Sequence, residues 1–135
     1  MNSLSLKAFS NWLDIYGRAG EENDARTSSE LFALDAKYYG MPFDKPIAGR
    51  DAIYQYWSQG AQNYMDKESQ YEVLSLKGNL GIARWQSQFT SIDTSKQLAL
   101  DCILLVDFDE DGKCCEFSEW WHLLTLDSVR NGECE

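Results

Sequence analysis

The apolar residues of this chain change their spacing at about the midpoint of its 135 residues, and that change limits the folds open to it. In the first half, Leu6, Phe9, Leu13 and Tyr16 recur three and four residues apart, the spacing that lines up one face of an α-helix, and the run stops at Gly17 to Gly20. Asn23 or Asp24 supplies an N-cap for a short second helix over residues 25–33, with Leu31 and Phe32 as its apolar pair. Residues 35–40 contain the β-favouring Tyr38 and Tyr39, followed by a loop stiffened by Pro42 and Pro46. From Arg50, the residues Ile53, Tyr56, Trp57, Gly60, Ala61 and Tyr64 fall on one side of a third helix. In the second half, residues 68–77, 81–91, 97–108 and 113–124 are runs rich in β-branched and aromatic side chains. They are separated by Lys-Gly-Asn, Asp-Thr-Ser and Asp-Glu-Asp-Gly turn chemistry. Helices first and an antiparallel meander afterwards predict an α+β domain whose helices cover one sheet face.

Alternation along the strands sorts their side chains into two faces. Trp85, Ser87 and Phe89 share a face, and pairing through the turns at 93–96 and 109–112 brings Cys102, Leu104 and Val106, then Phe117, Glu119 and Trp121, onto it. A largely uncharged hollow with one carboxyl group is the expected result. Ile103, Leu105 and Trp120 fall on the opposite face among Arg84, Asp101 and His122, and an outward apolar patch of this kind predicts a homodimer joined sheet to sheet. A one-residue slip would exchange the faces, which makes Asp101 and His122 the reserve acid–base candidates.

Charge and cysteine usage narrow the function classes. Twenty-two acidic against 12 basic residues give a formal charge of −10, which repels phosphate backbones and anionic lipid, so neither nucleic acid nor membrane is an expected partner. The start has no basic-then-apolar leader and no stretch approaches a membrane span; together with four cysteines lacking a paired framework, this points to a cytoplasmic protein with reduced thiols. His122 is the only histidine and cannot anchor a zinc site with Cys102, Cys114, Cys115 or Cys134, so no metal is expected. Asp107, Asp109, Asp111 and Gly112 match the first half of a calcium loop, but its twelfth position is Ser118, and the hairpin-turn reading is preferred. Adjacent Cys114 and Cys115 point to opposite faces, and neither a dinucleotide or nucleotide phosphate loop nor a nucleophile elbow is present; no cofactor is expected. Residues 1–126 are read as one domain, with 127–135 as a frayed tail.

Three segments then carry a family resemblance. They are 31–36 (Leu-Phe-Ala-Leu-Asp-Ala), 42–53 with Tyr56 and Trp57, and 108–113 leading to Glu119-Trp120-Trp121-His122. In order and spacing, across residues 6–124, the chain resembles the nuclear transport factor 2 fold and in particular its SnoaL-like, polyketide-cyclase-like branch. The resemblance implies a cone-shaped half-barrel, in which a curved, mostly antiparallel sheet wraps around three N-terminal helices, with a deep pocket and frequent dimerisation through the sheet. Ketosteroid isomerase, a member of this fold, uses an aspartate base with a tyrosine and a protonated aspartic acid as oxyanion donors. Ungapped counting puts Tyr16 at the tyrosine position, but Gly40 at that of the base and Leu104 at that of the acidic donor. Neither moves a proton, so steroid-type isomerisation is not expected.

The polyketide-cyclase likeness directs attention to Glu119, either as general acid or base in a desolvated setting or as a satisfied buried group bonded to a helix N–H or a tyrosine hydroxyl. The expected pocket lining is Tyr16, Tyr38, Trp57, Trp85, Leu104, Glu119 and Trp121. Three readings of function follow. The first is a protein that binds a small apolar or aromatic ligand, alone or as an accessory. The second is a cofactor-independent cyclase, isomerase or hydratase acting on a small apolar carbonyl compound through Glu119. The third is a structural dimer module whose hollow is filled by its own side chains.

Overall fold

The computed structural model describes residues 3–126; the expected tail at 127–135, which includes Cys134, lies outside them. The elements are α1 (Leu6–Glu21), α2 (Ala25–Glu30), β1 (Phe32–Tyr39), β2 (Ile47–Ala48), α3 (Arg50–Asn63), β3 (Tyr64–Lys77), β4 (Leu80–Ser91), β5 (Gln97–Phe108) and β6 (Cys114–Thr125). The six strands form one curved, unclosed sheet in the order β2-β1-β6-β5-β4-β3. Strands β3 to β6 are the antiparallel meander that the turn chemistry predicts, and β1 joins it parallel to β6. The α+β class is as expected.

Ser5 starts α1 by accepting a 3.0 Å hydrogen bond from the Ala8 amide onto its hydroxyl oxygen. The helix does not stop at Gly17 to Gly20, as the glycines suggested; it continues to Glu21. Packing is tight at Gly17, where a Cβ would sit 3.0 Å from the Trp85 ring and 3.2 Å from the Ser69 hydroxyl. The buried face is Phe9, Trp12, Leu13 and Tyr16, whereas Leu6, read as part of the stripe, is 58% exposed. Trp12 lies edge-on to Phe32 and Phe108 at 5.8 and 5.6 Å between centroids, and its indole N–H donates to the Leu31 carbonyl.

Asp24 caps α2, accepting from the Thr27 amide and hydroxyl, and the helix ends at Glu30 rather than at residue 33. Phe32 and Ala33 instead open β1. The Cys114 amide donates to the Leu31 carbonyl, and the Arg50 guanidinium makes two bonds to the Phe32 carbonyl, at 2.9 and 2.6 Å. These long-range partners outweigh the local helical preference. The Pro-rich loop also yields the unexpected β2, which pairs Ile47 with Tyr38 and Ala48 with Lys37 directly after Pro46, where no ladder donor is lost. Tyr64, assigned above to the face of the third helix, begins β3, where its ring lies 4.9 Å from that of Phe89. The Asp-rich turn is a hairpin, with Gly112 at φ 79° and one Asp109 oxygen accepting from the amides of Asp111 and Lys113.

Gly81 marks the tightest approach of sheet to helix, because a Cβ there would lie 2.5–2.7 Å from three atoms of the fully buried Phe9 ring. Gly81→Ala is therefore expected to lower unfolding free energy by about 1–3 kcal/mol, as overpacking does. Gly60→Ala in α3, where nothing lies within 4 Å of the added carbon, is expected to raise it by roughly 0.5–1 kcal/mol. Urea denaturation of the two variants beside the parent chain reads both signs.

Candidate functional site

The concave sheet face and the helices α1 and α3 enclose a cavity of about 620 Å³. Its wall follows the strand register. Trp85 pairs with Cys102 and Cys102 with Trp121; one step on, Ala83 pairs with Leu104 and Leu104 with Glu119; one step further, Val106 pairs with Phe117. Because alternate residues share a face, this register brings Glu119, Trp121, Cys102, Leu104 and Trp85 to one surface. Tyr16 from α1, Tyr38 from β1 and Trp57 from α3 line the same cavity, so the seven residues expected around a pocket surround one space.

The reserve candidates lie on the other face. Asp101 is held by the Arg84 guanidinium at 3.1 and 2.7 Å, with Gln86 at 3.4 Å, and His122, across from it on β6, is exposed. Ile103 and Trp120 share that outer face. The adjacent cysteines also divide, Cys114 into the core and Cys115 toward the Asp107 carbonyl, which its thiol reaches at 3.4 Å.

Glu21, Asp44, Lys45 and Lys67 also line the cavity, so it is not the largely uncharged, one-carboxyl hollow that strand alternation suggested. Glu119 is the carboxyl group of the sheet wall. Burial pushes it up to about 7, and the hydrogen bond that it accepts from the Tyr38 hydroxyl at 2.8 Å opposes the rise only in part. Tyr38 is fixed by its ring. It stacks on Phe117 with centroids 4.7 Å apart and planes within 5°, and Tyr56 and Trp57 flank it at 5.4 and 5.9 Å. Burial first, and the Glu119 charge second, raise the Tyr16 and Tyr38 hydroxyls well above ordinary phenols; Tyr56 is raised for the same two reasons. All three phenols therefore remain protonated at neutral pH and can donate hydrogen bonds. The Cys102 thiol is pushed up to about 12 by burial and then by Glu119, which rules out a thiolate nucleophile at neutral pH.

Gly40 and Leu104, which stand where the ketosteroid isomerase count requires acids, line the cavity as well. The count thus lands on this cavity, but on residues with no side-chain proton to transfer. Glu119 reaches the cavity from β6, directly across from Leu104, and the Gly40 carbonyl accepts from the Trp121 indole at 2.9 Å. The Trp57 indole N–H is buried without a protein partner. Among the described residues no group of three or more His, Cys, Asp or Glu side chains could hold a metal ion.

Sequence reasoning overlooked Lys67. It lines the cavity from β3, half-buried, and burial lowers its ammonium from the usual lysine value. Its signal was available, since Lys67, Ser69, Tyr71 and Val73 alternate along one face, but it fell one residue before the expected strand start at 68.

Residues 13–117 match the sequence profile of the SnoaL-like domain. A Bacillus subtilis protein solved as a candidate isomerase superposes with a TM-score of 0.77 at 21% identity, covering 86% of this chain and 87% of that one. SalBIII, an epoxide hydrolase/cyclase-like enzyme with a role in pyran ring formation in the polyether salinomycin, also gives 0.77, at 15% identity and 88% and 96% coverage. At such identities the likeness is one of fold. No curated protein matches the chain. Helix order, sheet topology and a profile match spanning most of its length place this chain in the SnoaL-like domain family of the nuclear transport factor 2-like superfamily.

Proposed function

We propose that the cavity receives a small, largely apolar, ring-bearing molecule and that Glu119 exchanges a proton with it, as in a cofactor-independent isomerase, cyclase or hydratase acting on a carbonyl compound. The observation that carries this reading is Glu119, which burial raises to about 7 beside Tyr38, Leu104 and Trp121; Glu21 and Asp44, the other carboxyl groups of the lining, are exposed. A group poised near the working pH is present as both acid and base, which is the condition for efficient proton transfer. Tyr16 and Tyr56, protonated and beside it, would stabilise negative charge developing on a bound carbonyl oxygen. The neighbours' isomerase and cyclase-like descriptions agree with chemistry of this class. A second reading, ligand binding without turnover, is favoured by the Tyr38–Glu119 hydrogen bond, which already satisfies the acid, and by Gly40 and Leu104, which leave Glu119 without a carboxylate partner. The outer-face Ile103 and Trp120 support a homodimer formed sheet to sheet.

Proton linkage gives a test that needs no substrate. The Glu119 pKa is raised in the folded protein, so between about 4.5 and 7 the unfolded chain releases this proton while the folded one keeps it. Its contribution is thus complete below 4.5, declines as pH rises and is lost above 7. Compared with Glu119→Gln, the parent protein should lose roughly 2–3 kcal/mol more stability between pH 4.5 and 8, at about 1.4 kcal/mol per pKa unit. Parallel pH-dependent denaturation curves would contradict the buried-acid assignment.

On a panel of aromatic carbonyl compounds, Glu119→Gln is expected to reduce turnover by roughly 10²–10⁴-fold with little change in binding. Tyr38→Phe should move the pH midpoint of activity upward, because the hydrogen bond it removes favours the ionised carboxylate. Binding without turnover anywhere on the panel establishes the second reading. Sedimentation at micromolar concentration should show a dimer that Trp120→Glu converts to monomer; a monomeric parent protein refutes the sheet-to-sheet pair.

A further inference from the structure

Strand β3 is the free edge of the sheet opposite β2, and it carries the cavity's least explained charge. Its pairing with β4 passes from Met65–Thr90 to Glu68–Gln88, so β3 advances three residues while β4 advances two. One extra residue is accommodated there, with Asp66 in the left-handed region at φ 54°. The bulge resets the alternation, and Tyr64 and Lys67, an odd number of positions apart, both line the cavity. Met65, Asp66 and Glu68 are exposed, while Lys67 is half-buried.

Among the described residues Lys67 has no ion pair; the one ion pair found is Arg84 with Asp101, on the other sheet face. Two carboxylates share the cavity lining with Lys67 besides Glu119: Glu21 of α1, engaged by the Ser69 amide at 2.8 Å and the Ser69 hydroxyl at 3.1 Å, and Asp44, exposed in the loop before β2; neither forms an ion pair with it. Burial lowers the Lys67 pKa, and among the described residues no ion pair offsets the cost of burying this charge. In a protein of net charge −10, a half-buried cation facing an aromatic cavity without a counter-ion suggests that the counter-ion is brought by the ligand.

Lys67 is also remote from Glu119. It precedes Glu68, which lies level with Gln88 on β4, Ala99 on β5 and Leu124 on β6, three strands away and five positions along from Glu119. We propose that Lys67 forms an anion subsite, so that the ligand carries a carboxylate or comparable anionic group at the β3 end of the cavity while its neutral, ring-bearing part extends toward Glu119. This rests on the reading of the cavity as a ligand site.

The test compares 2-naphthylacetate with 2-naphthylacetamide, near-isosteres differing in charge, by isothermal titration calorimetry at pH 6, where Glu119 holds its proton. The parent protein should prefer the carboxylate by roughly tenfold or more, the scale of a charge-assisted hydrogen bond. Lys67→Met should bring the ratio to about one with amide affinity unchanged, and Lys67→Arg should restore it. Lys45→Met, in the exposed loop that also lines the cavity, should retain the preference. Equal binding of both compounds to the parent protein, or a preference that survives Lys67→Met or is lost in Lys45→Met, overturns the subsite while leaving the ligand cavity intact. Failure of both compounds to bind overturns the subsite together with the cavity reading.

Discussion

The site depends on the cost of taking one carboxyl group out of water. Glu119 sits on the inward sheet face among Cys102, Leu104, Phe117 and Trp121, and among the described residues only the Tyr38 hydroxyl is bonded to it. A carboxylate in that position loses hydration that a single phenol cannot replace, and its proton affinity rises. Burial raises the Tyr16, Tyr38 and Tyr56 hydroxyls and the Cys102 thiol as well, and the Glu119 charge adds to it, so the phenols stay donors and the thiol stays inert. Burial and, after it, the Glu119 charge thus act in the same direction on each of these neighbours.

The architecture exists to maintain that desolvation. The meander supplies register, which decides that Glu119 rather than Asp101 or His122 faces inward, and α1 and α3 supply the opposite wall. The approach of α1 to the sheet is tight at two glycines, Gly17 against Trp85 and Gly81 against Phe9, and at Gly81 an added methyl group would force the layers to shift. Trp12 and Phe32 meet edge-on in the core outside the cavity lining, and Glu119, Trp121 and Lys67 line the cavity itself.

Much of this was legible in the sequence because strand alternation is a rigid rule. The inward set Trp85, Cys102, Leu104, Glu119 and Trp121 follows from two hairpin turns and a period of two, and the structure reproduces that register. Local signals failed where distant partners decide the outcome. Phe32 and Ala33 have the neighbours of a helix but are drawn into β1 by Cys114 and Arg50, more than fifteen residues away. Gly17 looked like a helix stop because the ring that packs closely against it, that of Trp85, lies far along the chain on β4. Tyr64 and Lys67 were obscured by a bulge that turn chemistry does not announce.

The parallel pairing of β1 with β6 has a consequence for how the molecule assembles. The meander can close by short hairpins, but Tyr38 meets Phe117 and Glu119 only when a segment made early in synthesis captures the last strand, about eighty residues later. Loop closure over that distance is entropically late, so folding is expected to finish on this seam. A nascent chain that has not yet released β6 from the ribosome would have three helices and most of a sheet, but no acid, no phenol clasp and no chamber for a guest.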